Sequence, residues 1–227
     1  MKIKWKNKKA RKQAKQQLVF VVKIKTYLYK KLVQRFVIKK NSQKNIRFLE
    51  IGPGVQRLAD FETVNVLKND VTDYIADLSL EKLPFKDRSF DLIYTSHFLE
   101  HIEWFKVEQC IKEMHRVLKD NGKLEIWLPD GLKAAQTLIE AENGRLLKTP
   151  DGWKNGNKED SPYLWVNGRV FYGLNPKYPS WHKGLFTYNY LASLLEKSKF
   201  KNIRKLDNKE CRGFDHGWIN LGIIGEK

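Results

Sequence analysis

The stretch Phe48-Leu-Glu-Ile-Gly-Pro-Gly54 is the starting point for predicting the fold of this chain. An apolar run typical of a strand ends in a Gly-x-Gly turn, and the acidic Glu50 stands two positions before the first glycine. Glycines let the backbone approach a ligand closely, and a carboxylate at a strand end accepts hydrogen bonds from hydroxyl or amino groups. By itself the stretch also fits a plain tight turn, so its meaning depends on the sequence around it.

Short apolar runs alternate with helical stretches after this strand, which indicates a mostly parallel sheet covered by helices. We predict helices at about 104–119, 131–143 and 188–199, and strands near 46–51, 62–66, 73–76, 90–95, 122–128, 202–206 and 218–225. Only eight residues separate Gly54 from Thr63, too few for a full helix between the first two strands. The predicted fold class is α/β, a doubly wound Rossmann-like sheet of seven strands.

Further motifs follow the glycine turn in a fixed order. They are Ala76-Asp77-Leu78, Leu83-Pro84-Phe85, Ser89-Phe90-Asp91-Leu92-Ile93-Tyr94, Ser96-His97-Phe98-Leu99-Glu100-His101, and the run from Arg116 to Leu124 that leads to Pro129-Asp130. With these motifs the chain resembles the class I S-adenosylmethionine-dependent methyltransferases, closely over residues 46–130 and by pattern beyond them. More narrowly, it looks like the small bacterial methyltransferases associated with surface-glycan biosynthesis.

The resemblance implies S-adenosylmethionine as cofactor and assigns residues to its binding. These residues are Glu50, Gly52, Pro53, Gly54, Asp77, Leu78, Ser96 and His97. In the family, the first motif cradles the methionine part, and the acidic-apolar pair after the third strand contacts adenine. The position just past the fourth strand lies beside the sulfonium, where the acceptor enters.

The sequence departs from the family pattern on the ribose side of the predicted pocket. The third glycine of the first motif falls on Gln56. The acidic residue that ends the second strand in the family falls near Leu67, with Asn69 and Asp70 close by. These departures bear on the affinity for the cofactor more than on the fold.

Three histidines are the candidates for catalysis. Methyl transfer from a sulfonium to a hydroxyl needs an aligned nucleophile and a base for its proton, and histidine has a suitable pKa. The candidates are His97 and His101, four residues apart, and His182 before a Leu-Phe-Thr step. Asp215 and His216 form a further polar pair, which we rank below the three histidines as catalytic candidates. The spacing of His97 and His101 would suit a metal pair, but no third ligand is apparent, so we predict no metal.

The net charge of +17 is concentrated near the start of the chain. Residues 1–47 hold 17 of the 43 basic residues and none of the 26 acidic ones, so the remainder is balanced. We therefore divide the chain into a basic arm, residues 1–45, and a methyltransferase domain, residues 46–227. Apolar positions at helical spacing predict a basic amphipathic helix over 18–40, either packed on the domain or resting on an anionic surface.

An aromatic-rich insertion at about 144–184 interrupts the predicted domain. Its aromatic residues stand among Gly, Pro and Asn and are Trp153, Tyr163, Trp165, Phe171, Tyr172, Tyr178 and Trp181. A long irregular stretch in a compact domain is commonly a lid or a binding loop. The alternative is an irregular subdomain with a small aromatic core of its own.

The favoured function is methyl transfer, most simply O-methylation, to a small-molecule or glycan acceptor. No apolar run spans a bilayer, no signal peptide fits, and Cys110 and Cys211 do not indicate a disulfide scaffold, so a cytoplasmic location is expected. Residues 1–40 are then expected to hold the protein peripherally on an anionic membrane surface. Two alternatives stay open: an RNA methyltransferase with a ribose or carbon target, and a non-catalytic scaffold.

Overall fold

A computed structural model describes residues 17, 21, 24–153, 159–171 and 181–227. Its centre is a seven-stranded sheet in the order β3-β2-β1-β4-β5-β7-β6. β7 is antiparallel to both of its neighbours, and the other pairings are parallel. The strands are β1 (Phe48–Ile51), β2 (Phe61–Asn65), β3 (Tyr74–Ile75), β4 (Phe90–Ser96), β5 (Leu118–Pro129), β6 (Lys201–Leu206) and β7 (Asn220–Glu226). The predicted fold class and all seven strands are confirmed.

Helices accompany the sheet along the described chain. They are α1 (Arg35–Asn41), α2 (Val107–Val117), α3 (Gly131–Glu142), α4 (Pro162–Phe171) and α5 (Tyr188–Lys197). The helix predicted at 104–119 is shorter than expected, because a 3-10 turn precedes it and β5 begins directly after it. Its apolar face is buried at Cys110, Ile111 and Met114 and packs on β5 and α5. The helices predicted at 131–143 and 188–199 are confirmed.

The prediction of an irregular stretch over 144–184 is wrong in its middle, where α4 forms. Trp165 is fully buried and packs with Val166 against Ala134 of α3 and against Ile219. Pro162 begins the helix, at the position where a missing N–H and a fixed φ are tolerated. The helix escaped prediction because its short apolar face is surrounded by Gly, Pro and Asn. Tyr172 and Tyr178 lie outside the described residues.

The basic helix predicted over 18–40 is present where the structure describes it. Residues 24–28 are α-helical, Tyr29–Gln34 form a π-helical turn, and α1 follows. The buried Gln34 side chain accepts from the Ile75 N–H at 2.9 Å, and the Tyr29 hydroxyl donates to the Asp73 carbonyl at 2.8 Å. The helix is therefore docked against β3 by polar contacts. Among the described residues, no helix is long and apolar enough to cross a membrane.

A buried ion pair joins the start of β1 to β2. The Arg47 guanidinium donates to both oxygens of Glu62, at 2.8 and 2.9 Å. The two side chains are 5% and 3% exposed. The Glu62 carboxylate also accepts from the Tyr74 hydroxyl, and the guanidinium lies 4.3 Å from the centre of the Phe90 ring. This network ties the start of β1 to β2, β3 and β4, and it lies toward the amino end of β1, opposite the glycine turn.

Candidate active site

The glycine turn lies at the point where the strand order reverses. β1 pairs with β2 on one side and with β4 on the other, so loops leaving their carboxyl ends diverge and open a crevice, the usual ligand position in such sheets. Gly52 and Gly54 have φ of 75° and 63°, values that favour glycine. A Cβ at Gly52 would also lie 3.1 Å from the Phe98 ring. The turn thus depends on glycine for both its conformation and its clearance.

The first cavity lies beside this turn and has a volume of about 590 Å³. Glu50 lines it and is held by the β1–β2 connection, since its Oε2 accepts from the Leu58 N–H at 2.8 Å. That connection contains no helix, as predicted. Burial raises the pKa of Glu50, and the Leu58 N–H and the Arg57 charge offset only part of this effect. The other lining residues include Gly52, Pro53, Gly54, Gln56, Tyr94, Ser96, His97, Phe214 and His216.

The second cavity, of about 280 Å³, lies on the other side of the glycine turn. Asp77 lines it, and its Oδ1 accepts from both the N–H and the hydroxyl of Ser79, at 3.0 and 2.6 Å. Asn65 also lines it, at the end of β2, where the sequence pattern pointed to Leu67. Leu67 is an exposed residue outside this lining, and Leu78 packs in the core. Leu78, which was predicted to bind the cofactor, therefore lines no part of the second cavity, and neither does Leu67, where the family's acidic residue falls.

The polar residues noted near Leu67 have a structural part in this region. Asn69 donates from its side-chain amide to the Gly54 carbonyl at 2.7 Å, which ties the β2–β3 connection to the glycine turn. Asn65 was missed by sequence analysis because the family pattern placed the acidic position near Leu67, two residues later, and nothing in the sequence singled out Asn65.

The third cavity, of about 210 Å³, contains all three predicted catalytic histidines. We call it the acceptor cavity. Its lining comprises His97, Glu100, His101, Pro129, Trp153, Gly168, Arg169, His182 and His216. His97 lines all three cavities, so it stands where they meet.

His97 is held by contacts on both ring nitrogens. Nε2 lies 3.1 Å from Asn220 Oδ1, and the Asn220 amide nitrogen donates to Asp215 at 2.7 Å. Because that donation fixes the amide orientation, His97 Nε2 is the N–H donor. Nδ1 lies 3.2 Å from Glu100 Oε1. Burial alone would lower the pKa of His97, but the Glu100 carboxylate outweighs burial and raises it. The backbone of His97 has a φ of 50°, in the left-handed region.

His216 stands beside His97, although sequence analysis left it outside the chosen site. The two rings are 3.8 Å apart between centroids, and His216 lines both the first cavity and the acceptor cavity. Loss of solvent around the ring lowers the pKa of His216, and the charges of His97 and Arg169 lower it further. Only its adjacency to Asp215 marked it in the sequence, because its late loop gives no sign of returning to the residue after β4.

Arg169 and Trp153 bring the aromatic insertion to the acceptor cavity. The Arg169 guanidinium lies 4.3 Å from the centre of the Trp153 ring and pairs with Asp151 at 2.8 Å. Asp151 also accepts from Trp165 Nε1 at 2.7 Å. The insertion thus packs Trp165 against Ala134 and Ile219, which lie outside it, and contributes one wall of the acceptor cavity.

Comparisons with known proteins match part of the chain to a family model and to a curated relative. Residues 42–126, from before β1 into β5, match a family model described as a methyltransferase domain. An uncharacterised protein of Methanocaldococcus jannaschii is 45% identical over 42 residues, which span 18% of this chain and 17% of that curated relative.

Solved structures are similar over more of the chain at lower identity. An S-adenosylmethionine-dependent methyltransferase of Methanosarcina mazei is 17% identical with a TM-score of 0.49, covering 84% of this chain and 96% of that one. The 1,6-didemethyltoxoflavin N1-methyltransferase of Burkholderia thailandensis, solved with S-adenosylhomocysteine, is 12% identical with a TM-score of 0.47, covering 100% and 93%.

Proposed function

We propose that this chain, which belongs to the class I S-adenosylmethionine-dependent methyltransferases, transfers the cofactor's methyl group to a hydroxyl of a small-molecule or glycan acceptor. The observation that carries the proposal is the position of His97. It lines two cavities beside the glycine turn and also the acceptor cavity, so donor and acceptor would meet at one residue.

The residues around the glycine turn fit the cofactor. Gly52 holds a turn whose φ and whose clearance from Phe98 favour glycine, and the buried Glu50 carboxylate can accept from an ammonium group. These residues would hold the methionine part in the first cavity. In the second cavity, Asn65 and Asp77 would hold the adenosine part through its hydroxyl and amino groups.

The bound cofactor supplies an activated methyl group on a sulfonium sulfur, and the protein has to align the acceptor and remove its proton. During transfer the new oxygen–carbon bond forms, the carbon–sulfur bond breaks with its electron pair left on sulfur, and the hydroxyl proton leaves. Both nitrogens of His97 already face protein groups, so we assign it as a positioning residue. We assign proton acceptance to His216, whose lowered pKa keeps it neutral at pH 7.

The lining of the acceptor cavity supports a hydroxyl-rich acceptor. Its polar groups include imidazoles, the Glu100 carboxylate and the Arg169 guanidinium, which together offer both donors and acceptors. Trp153 adds an aromatic surface, as sugar-binding sites commonly require a large apolar face with polar groups around it. These features support an O-methylated glycan or small polyol over an apolar acceptor.

Calorimetric titration with S-adenosylmethionine, followed by labelled-methyl transfer, tests this function. We expect saturable binding that weakens about 10-fold or more in Glu50→Gln, which keeps the Leu58 hydrogen bond but loses the charge. Because the ammonium group binds ionised Glu50, wild-type affinity should fall as pH drops through the raised Glu50 pKa, while Glu50→Gln should respond little.

The transfer step uses isotopically labelled cofactor with cell extract and purified glycans, read by mass spectrometry. Labelled methyl ethers on glycan or polyol hydroxyls are the expected products. Label in RNA would favour the RNA alternative instead. Absence of cofactor binding at millimolar concentration would contradict the enzyme assignment and favour a scaffold.

We also propose that the basic N-terminal helix holds the protein on an anionic membrane surface. Polar contacts dock one side of this helix on β3, and large apolar side chains on it stay exposed, including Leu32 at 64% and Phe36 at 68%. Lys25, Lys31 and Arg35 are exposed beside them. An apolar face flanked by basic residues is the usual composition of a surface-bound amphipathic helix.

Vesicle flotation tests the membrane proposal. Leu32→Ser/Phe36→Ser should reduce the fraction bound to phosphatidylglycerol vesicles about 10-fold or more, because two large apolar contacts are lost. Leu147→Ser, at a residue 82% exposed outside this helix, is the matched control and should bind like wild type. Equal flotation of the double variant and wild type would reject the helix as the anchor.

A further inference from the structure

A buried carboxylate in the acceptor cavity lacks ordinary hydrogen bonds. Glu100 is 1% exposed, and among the described residues neither of its oxygens has an aligned hydrogen-bond partner. Its Oε1 lies 3.2 Å from His97 Nδ1 and 4.0 Å from His182 Nε2. Burial of an ionised carboxylate is strongly unfavourable without a compensating cation. His97 faces this carboxylate at 3.2 Å, and the side of Glu100 toward His101 and His182 can take a further positive charge.

Two imidazoles next to Glu100 are oriented by backbone carbonyls. His182 Nδ1 lies 2.9 Å from the Arg169 carbonyl oxygen, and His101 Nδ1 lies 3.3 Å from that of Trp181. A carbonyl only accepts, so Nδ1 is the N–H in both rings and Nε2 carries the lone pair of the neutral imidazole. Metal-binding histidines are held in this way, with the second nitrogen donating to a carbonyl or carboxylate.

The three side chains lie close enough to share one ion. Glu100, His101 and His182 each place one donor atom within 4.8 Å of the other two. Donor atoms around an ion with bonds near 2.1 Å are about 3.0 to 3.4 Å apart, so the widest separation in the cluster must shorten by up to about 1.4 to 1.8 Å. His101 is only partly buried and can rotate to supply much of this movement.

We propose that Glu100, His101 and His182 bind one first-row divalent transition-metal ion in the acceptor cavity. Two imidazoles and one carboxylate leave further coordination positions for adjacent hydroxyls of the acceptor. The inference rests on the proposed function and deepens it, because it makes a vicinal diol the favoured acceptor. Coordination would hold one acceptor hydroxyl near His97. It would also lower the pKa of that hydroxyl, whose proton would then pass to His216.

The ligand set favours some ions over others. Imidazole suits Zn²⁺, Fe²⁺ and their neighbours, whereas Mg²⁺ prefers oxygen ligands and retains its waters. We therefore expect Zn²⁺ and Co²⁺ to bind far more tightly than Mg²⁺. Sequence analysis predicted no metal because His182 is distant from His101 along the chain, and only the fold brings it to Glu100.

Metal titration of the full chain, purified without a polyhistidine tag and stripped with a chelator, tests the site. We expect one equivalent of Zn²⁺ by calorimetry and mass spectrometry, and Co²⁺ visible bands that indicate nitrogen ligation. Affinity should fall about 100-fold or more in Glu100→Gln and in His101→Gln. His115→Gln is the matched control, since His115 lies on α2 against Phe200.

Each outcome of this titration decides the proposal. Stoichiometric binding that both variants lose supports it, as does a Zn²⁺-induced rise in Tm seen in wild type and His115→Gln only. Absence of saturable binding, or equal binding by the variants, overturns it. If Glu100→Gln does not fold, the partly buried His101→Gln gives the answer alone. Cofactor titration of the metal-free protein separates the two proposals, because intact cofactor binding without metal binding rejects the metal site only.

Discussion

Replacing His216 with glutamine is expected to lower kcat by about 10²- to 10⁴-fold, the usual contribution of a general base. The ring lines both the first cavity and the acceptor cavity and lies 3.8 Å from the His97 ring between centroids, so it would border the path from the acceptor hydroxyl to the methyl group. It contributes no charge at pH 7, because its pKa is lowered. The Kd for the cofactor should therefore stay within about threefold of wild type.

The measurement is single-turnover transfer to the acceptor found by the labelled-methyl experiment, beside cofactor calorimetry. His115→Gln carries the same substitution on α2 and should keep wild-type kcat. A kcat within about threefold of wild type for His216→Gln would show that another group takes the proton. A parallel loss of cofactor affinity would instead assign His216 to binding.

Replacing Arg47 with methionine is expected to lower the free energy of unfolding by about 3 to 5 kcal/mol, the usual loss when one partner of a buried ion pair is removed. Glu62 would keep its charge at 3% exposure without the two hydrogen bonds from the guanidinium. Methionine retains much of the apolar packing on Phe90, so the lost charge accounts for most of the effect.

Urea unfolding of matched variants measures this loss. Arg204→Met removes an exposed pair between Arg204 of β6 and Glu210 and should leave the urea midpoint close to that of wild type, because solvent screens this pair. The double variant Arg47→Met/Glu62→Leu should recover part of the loss, since no charge is left buried. Equal effects of Arg47→Met and Arg204→Met would mean that water reaches the Glu62 carboxylate.

The seven strands and the mostly parallel class of the sheet were predictable because local patterns mark each strand. Buried parallel strands appear as continuous apolar runs, as in Phe90–Tyr94, and the connections between them have characteristic lengths. Turn chemistry likewise placed Gly52 and Gly54 correctly at the crevice. α4 escaped because the burial of Trp165 depends on Ala134 and Ile219, which are distant in sequence.

Much of the candidate site could not be predicted from local sequence either, because its residues are distant from one another along the chain. His97, His101 and His182 were named separately, but their gathering around Glu100 depends on the loop before α5. Asn220 and His216 come from the segment around the start of β7, and nothing near them marks their contact with the end of β4. The residue types indicated the chemistry, but the contacts between these residues could be identified only from the folded structure.

The insertion of β7 between β5 and β6 has a consequence for the order of events during synthesis. Asn220, which orients His97, is made 123 residues after it. The ribosome therefore releases the glycine turn and His97 well before the groups that complete their surroundings. A nascent chain with β1 to β5 already paired would hold His97 without Asn220 or His216, so it should become competent for transfer only after its last two strands have joined the sheet.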